Sequence, residues 1–369
     1  MADPVQASQV LDALRPIIDP DFKKSIVDLG FIKDLQIDGT NVSFAIELTT
    51  PACPVKSEFE RAAHEAVSAL EGVEDVAVTM TSNTRQAARS GAGGQDETVL
   101  PGVKNVVAVA SGKGGVGKST TAVNLALALR DQGAEVGLLD ADVYGPSLSL
   151  LTGVHQRPDT TPDRKIMPVI GQGMKLMSMA FFMTDDSPVI WRGPMVHGLV
   201  KQFLTDVKWG ELDYLIVDMP PGTGDAALTL TQMAPLSGAV IVTTANDLSL
   251  IDARKGLQMF EKVGVPILGI IENMAYFTPP DLPDRKYYLF GQGGGERVAR
   301  ELDVDFLGEV PIDPRIAEEG DLGRPIVSSQ PDSPSSVALR EISGVIARKL
   351  AMLAVKSPPV ADANITWVS

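Results

Sequence analysis

From residue 101 onward the chain repeats one pattern: a short, almost wholly apolar run, then a stretch with apolar residues at helical spacing. The runs fall at 105–110, 136–139, 214–217, 239–242 and 266–271. Strands that lack a polar face and alternate with helices belong to a parallel sheet covered on both sides. The pattern predicts a doubly wound, mostly parallel α/β domain over 101–369, with ligand chemistry at the carboxyl ends of its strands. Residues 1–83 read differently. Helical spacing over 8–18 and 55–70, short apolar or alternating runs at 31–37, 42–48 and 75–80, and the turn Asp38-Gly39-Thr40 predict a small α/β domain with a three-stranded sheet and two helices. The stretch between them, TRQAARSGAGGQDETVL (84–100), is small, polar and Gly-rich with no sustained period. That is the composition of a flexible tether.

Composition narrows the class. The 369 residues are 44% hydrophobic and 21% charged, enough for two folded cores. Thirty-two basic against 47 acidic side chains give a net charge of −15, which argues against nucleic acid or an anionic membrane as partner. No apolar run approaches the ~18 residues of a bilayer span. The acidic, amphipathic start has no basic segment followed by an apolar core, so the expected location is cytoplasmic. One cysteine, Cys53, excludes an intrachain disulfide and an all-cysteine metal site within one chain.

The strongest local signal follows the run at 106–110. Residues 111–120, SGKGGVGKST, satisfy G-x-x-x-x-G-K-[ST] through Gly112, Gly117, Lys118 and Ser119. Glycines at Gly112, Gly114, Gly115 and Gly117 let backbone N–H groups, including those of Val116 and Thr120, turn toward phosphate oxygens. Lys118 brings a charge to the β- and γ-phosphates, and the Ser119 hydroxyl can ligate Mg²⁺. The same residues also spell G-x-G-x-x-G, with Asp140 at the distance of a dinucleotide fold's ribose acid. That second reading leaves Lys118, Ser119 and Thr120 without a role.

Two strand ends are acidic. The run 136–139 ends in Asp140-Ala141-Asp142, and the run 214–217 ends in Asp218. Beside a phosphate loop, Asp218 suits the water shell of Mg²⁺ and Asp142 suits orientation of an attacking water. An isolated Asp at such a position would instead be read as a helix N-cap.

Together with DADVYGPS (140–147), WRGPM (191–195), DMPPGTGD (218–225) and IENMAYF (271–277), the loop with Lys113 after its first glycine resembles the Mrp/ApbC family of P-loop ATPases, relatives of MinD and the nitrogenase iron protein. The N-terminal part, with DPDFKKSIVDLGFI (19–32) and TTPACPVK (49–56), is similar to the small domain that occurs in iron–sulfur assembly factors. The resemblance implies an ATP-hydrolysing homodimer that binds iron–sulfur clusters, of the 4Fe-4S type and labile, and passes them to apoprotein clients. It implies that Lys113 reaches the nucleotide of the other subunit, that Asn273 bonds the adenine edge, and that Pro311 lies against the base. Without the resemblance, Asn273 also reads as a turn residue after a strand.

One departure stands out. The family carries a C-x-x-C pair after ENM, whereas residues 275–295 here contain no cysteine, as in some plastid-type and cyanobacterial-type members. A dimer offers only the two Cys53 thiols, fewer than the four thiolates a cluster usually takes. Cys53 precedes an amphipathic helix, whose N-terminus would favour thiolate; a buried, inert thiol is the other reading. His64, His155 and His197 lack metal-ligand spacing and read as structural or surface residues. The apolar positions of 337–355 predict a helix packed on the sheet rather than stable membrane association, given its few cations. A MinD/ParA-like dimerisation switch that positions a partner on a surface is the alternative function.

Overall fold

The computed structural model describes residues 5–52, 55–90, 99–183 and 193–356. Cys53, Trp191, Arg192 and the tail 357–369 lie outside the described residues. The small domain runs α1 (Ala7–Leu14), the two-residue strands β1 (Ile18–Asp19) and β2 (Lys24–Ser25), β3 (Ile32–Asp38), β4 (Asn41–Leu48), α2 (Lys56–Ser68) and β5 (Asp75–Ser82). Strands β3 and β4 form an antiparallel hairpin that turns at Gly39, whose φ of 63° suits glycine. Helix α2 then crosses over so that β5 joins β4 in parallel, giving the order β3-β4-β5. Val10, Leu14, Phe44, Ile46, Phe59 and Val67 fill one core between the helices and this sheet.

The large domain continues with β6 (Val103–Ala110), α3 (Lys118–Asp131), β7 (Val136–Asp140), α4 (Leu148–Thr152), β8 (Val169–Gly171), β9 (Met174–Ser178), α5 (Gly193–Thr205), β10 (Leu212–Asp218), α6 (Asp225–Met233), β11 (Gly238–Thr243), α7 (Asp247–Lys262), β12 (Ile267–Phe277), α8 (Gly294–Glu301), β13 (Phe306–Ile312), α9 (Pro314–Asp321), α10 (Ile326–Ser329) and α11 (Pro334–Lys356). Its eight-stranded sheet has the order β13-β12-β11-β6-β10-β7-β9-β8, parallel except at the β8–β9 edge. Alternate residues of β6 feed different cores. Val107 and Val109 meet α3 and α11, while Val106, Ala108 and Ala110 meet the layer of α5 to α8. Both faces are buried, which is why the run carries no polar alternation.

Helix α3 is buried on nearly every side, from Thr121 through Leu129. Helix α11 covers it with Leu339, Ile342, Ile346 and Leu350, so the C-terminal apolar stripe packs on the sheet. No helix among the described residues is long and apolar enough to cross a membrane.

The stretch expected as a tether from residue 84 is held down as far as Ser90. The buried Asn105 side chain accepts from the Ala87 N–H (3.1 Å) and donates to the Arg85 carbonyl (3.1 Å). The Ser90 N–H donates to the Leu236 carbonyl at 2.9 Å. The physical reason is local: Asn105 and Leu236 supply partners to this part of the stretch, whose glycines begin only at Gly91. The small domain also touches the large one directly. Thr50 Oγ1 and Tyr214 Oη share a buried 2.9 Å hydrogen bond, Ala52 is fully buried with residues of α3, and Asp21 pairs with Arg348 of α11 at 3.6 Å. This seam lies at the amino ends of the large domain's strands. Tyr214 sits four residues before Asp218, about 13 Å of strand from the other edge.

Candidate nucleotide and phosphoryl site

The phosphate loop joins β6 to α3 at the carboxyl edge of the sheet. Gly115 and Gly117 adopt φ of 83° and 79°, which side chains disfavour. A Cβ on Gly112 would stand 2.1 Å from the Asp252 carbonyl carbon of α7, and one on Gly117 would stand 2.2 Å from Asn273 Nδ2. Gly114 and Gly115, by contrast, face open space. The loop is thus packed tightly at both ends and open in the middle, where backbone N–H groups can meet an anion.

Lys118 is buried and forms a hydrogen-bonded ion pair with Asp218, also donating to Ser119 Oγ at 3.1 Å. The strand register sets Asp218 beside Asp140. Burial pushes the Asp218 carboxyl up, against the pull of Lys118. Burial, then the Asp218 charge, pushes Asp140 up to about 7. Two buried acids lie side by side here, and the buried Lys118 cation pairs with Asp218 alone. The donors that remain for a cation, the Asp218 carboxylate and the Ser119 hydroxyl, are hard oxygen and suit Mg²⁺.

Asp140 itself is fully engaged. It accepts from the N–H groups of Asp142, Ser147 and Leu148 (3.1–3.2 Å) and from Ser178 Oγ at 3.0 Å. It therefore has nothing to offer a ribose, which removes the dinucleotide reading and gives the carboxylate a structural job. Asp142 is half-buried, and its Oδ1 accepts from the Gly145 N–H at 3.2 Å. It lies near enough to Asp218 to help raise that carboxyl. Lys113 is half-buried, and its carbonyl accepts from Ser111 Oγ at 2.9 Å. Its ammonium has no ion-pair partner among the described residues.

Next to the loop is a cavity of about 580 Å³ lined by Gly117, Thr120, Asn273, Met274, Phe290 and Pro311, among others. A volume of that order accommodates a nucleobase with its sugar. Asn273 Nδ2 donates to the Val116 carbonyl at 2.9 Å, tying β12 to the phosphate loop. Its Oδ1 has no hydrogen-bond partner among the described residues and is the acceptor left for a base. Met274 follows with φ of 54°, where the β12–β13 register also shifts. That irregularity turns both residues onto the cavity. The sequence thus nominated Gly112 through Thr120, Asp142, Asp218, Asn273 and Pro311, and the fold gathers them along one edge. Cys53, the remaining nominee, lies outside the described residues, and its neighbour Ala52 is at the opposite edge. Among the described residues no group of three or more His, Cys, Asp or Glu side chains could hold a metal.

Three residues escaped the sequence reading: Glu272, Leu289 and Phe290. Glu272 is fully buried midway along β12, where its pairing with β11 stops, with Oε2 accepting from the Gly295 N–H at 2.6 Å and Oε1 unpartnered. A polar residue at the end of an apolar run was its only signal.

The family description "NUBPL iron-transfer P-loop NTPase" matches residues 102–347, and "Iron-sulfur cluster assembly protein" matches 7–80. An iron-sulfur cluster carrier protein of Synechocystis sp. is 53% identical over 350 residues, covering 94% of this chain and 98% of that protein. One from Deinococcus radiodurans is 43% identical, covering 95% of this chain and 97% of its own length. Among solved structures, a nucleotide-binding protein of Archaeoglobus fulgidus in complex with ADP aligns with a TM-score of 0.56 and 40% identity, covering 64% of this chain and 92% of that one.

Proposed function

This chain belongs to the NUBPL iron-transfer P-loop NTPase family, and from that premise we propose that it is an ATP-hydrolysing iron–sulfur cluster carrier that works as a homodimer and loads apoprotein clients. The observation that carries the nucleotide half is the Lys118–Asp218 pair at the mouth of an open glycine turn, with the Asn273 cavity alongside. Each member of that pair has a second use. When phosphates enter, the Lys118 ammonium turns to their oxygens and leaves the Asp218 carboxylate free; Asp218 and Ser119 are the residues that would hold Mg²⁺ and its water shell. Bound Mg²⁺ would supply charge neutralisation on the phosphates. Asn273 Oδ1 accepts the exocyclic amine of adenine, and Pro311 lies against the ring. Asp142 orients the attacking water, and Lys113, which has no ion-pair partner among the described residues, reaches the nucleotide of the second subunit. A cation supplied in trans stabilises the transition state only after two loaded subunits meet.

The cluster is cargo. Cys53 is the chain's one thiol, so a dimer holds a cluster with two protein thiolates. A small thiol or the client completes the coordination, which keeps the cargo labile and transferable. The carrier names of the full-length relatives favour this over a surface-positioning switch.

Turnover of ATP by the purified chain tests the enzymatic half. Lys118→Ala should abolish it. Lys113→Ala and Asp142→Ala should each lose it alone, and mixing the two should restore part of it, because a mixed dimer contains one intact composite site. Undiminished hydrolysis by Lys118→Ala would displace the site. A mixture no more active than its components would remove the trans lysine.

A further inference from the structure

The segment after β12 folds back over the base cavity as a strap pinned at both ends. At one end Phe277 and Tyr287 exchange two backbone hydrogen bonds of 2.8 Å. The Lys286 ammonium sits 3.7 Å from the centre of the Tyr276 ring, and Tyr288 meets that ring edge-on at 6.3 Å. At the other end Gly294 and Gly295 are pressed against the sheet. A Cβ on Gly294 would stand 2.5 Å from the Ala245 carbonyl oxygen, and one on Gly295 would stand 3.0 Å from Glu272 Oε2. Between the pins, Leu289 and Phe290 line the cavity, yet they remain 63% and 42% exposed.

Two large apolar side chains left in water at the mouth of a cavity gain from a ligand that covers them. A planar base is such a ligand, since stacking on an aromatic ring needs no particular hydrogen-bond pattern. The adjacent residues Asn273 and Glu272 hold the two walls. Asn273 fixes the phosphate loop through Val116, while Glu272 fixes the strap through Gly295. A buried carboxylate with one oxygen unpartnered is costly to keep, and holding the N-terminus of α8, where the strap ends, is a use that explains it.

Building on the nucleotide site proposed above, we propose that Phe290, with Leu289, closes over the nucleotide's base, and that Glu272 is the positioning residue that sets the strap. The base, not the phosphates, is what this element recognises.

Calorimetry on the full chain with Mg-ATP and with Mg-tripolyphosphate, which has phosphates and no base, separates the claims. Phe290→Ala should weaken ATP about tenfold, the order of one lost base–aromatic stack, and leave tripolyphosphate unchanged. Glu272→Ala should do the same, whereas Glu272→Gln, which keeps an acceptor for Gly295, should stay near the parent. Parent protein that binds neither ligand would remove the nucleotide site itself. With that binding in hand, an unaltered ATP affinity in Phe290→Ala, or equal losses for the two ligands, would overturn the strap proposal. So would equal losses in Glu272→Ala and Glu272→Gln.

Discussion

Thr50 and Tyr214 meet through a buried 2.9 Å hydrogen bond that joins the small domain to the strand ending in Asp218. Burial lifts the Tyr214 phenol well above its usual range, so it stays protonated in any ordinary buffer. The contact fixes the loop that leads into Cys53 at the edge of the sheet away from the phosphate loop. The small domain is docked there, and residues 84–90 lie against the large domain as well.

Tyr214→Phe removes one hydroxyl and leaves the ring's packing in place. The loss should be about 1 kcal/mol, the usual worth of one such bond. Loosening residues 50–52 should also speed alkylation of Cys53, the chain's own reporter thiol. A labelling rate equal to the parent's would show that the seam does not govern access to it.

The glycines of the phosphate loop should separate folding from binding. Gly112→Ala forces a methyl into the α7 backbone and should lower the thermal midpoint and abolish nucleotide binding together. Gly114→Ala places its methyl in open space, where an anion would lie. It should keep the parent's melting temperature and lose ATP affinity. A Gly114→Ala protein that binds ATP normally would mean that phosphates do not occupy that turn.

Much of this was legible in the residues. The five apolar runs became β6, β7, β10, β11 and β12 because strands buried on both faces carry no polar positions. Strands β8, β9 and β13 were not predicted: β8 and β9 are short and Gly- or Met-rich, and β13 is broken by Gly308, Glu309 and Pro311. The phosphate loop was legible because its chemistry is local in sequence. Glu272 and Phe290 were not, since their significance comes from a loop that returns some twenty residues later. Asp140 was misleading in isolation, for only the fold shows its oxygens filled by four donors.

Glu272 should also leave a trace in the pH dependence of stability. Burial, reinforced by Glu309 on the neighbouring strand, raises its carboxyl above the usual glutamate range. The folded protein then holds a proton that the unfolded chain has released. The stability this confers is full at low pH and is lost as pH rises through the raised value. Glu272→Gln escapes that loss, so its gain in melting temperature over the parent should be larger at pH 8 than at pH 5. A gain that is the same at both would mean the carboxyl titrates normally.

The central claim is that one chain couples a nucleotide site to iron–sulfur cargo held through Cys53. Iron and sulfide retained per chain after anaerobic reconstitution and desalting test it most directly, comparing the parent with Cys53→Ala while ATP turnover is followed in both. The parent should retain a chromophoric cluster, and Cys53→Ala should lose it while hydrolysing ATP at the parent's rate. A parent that retains no cluster, or a Cys53→Ala protein that retains as much as the parent, would contradict the account.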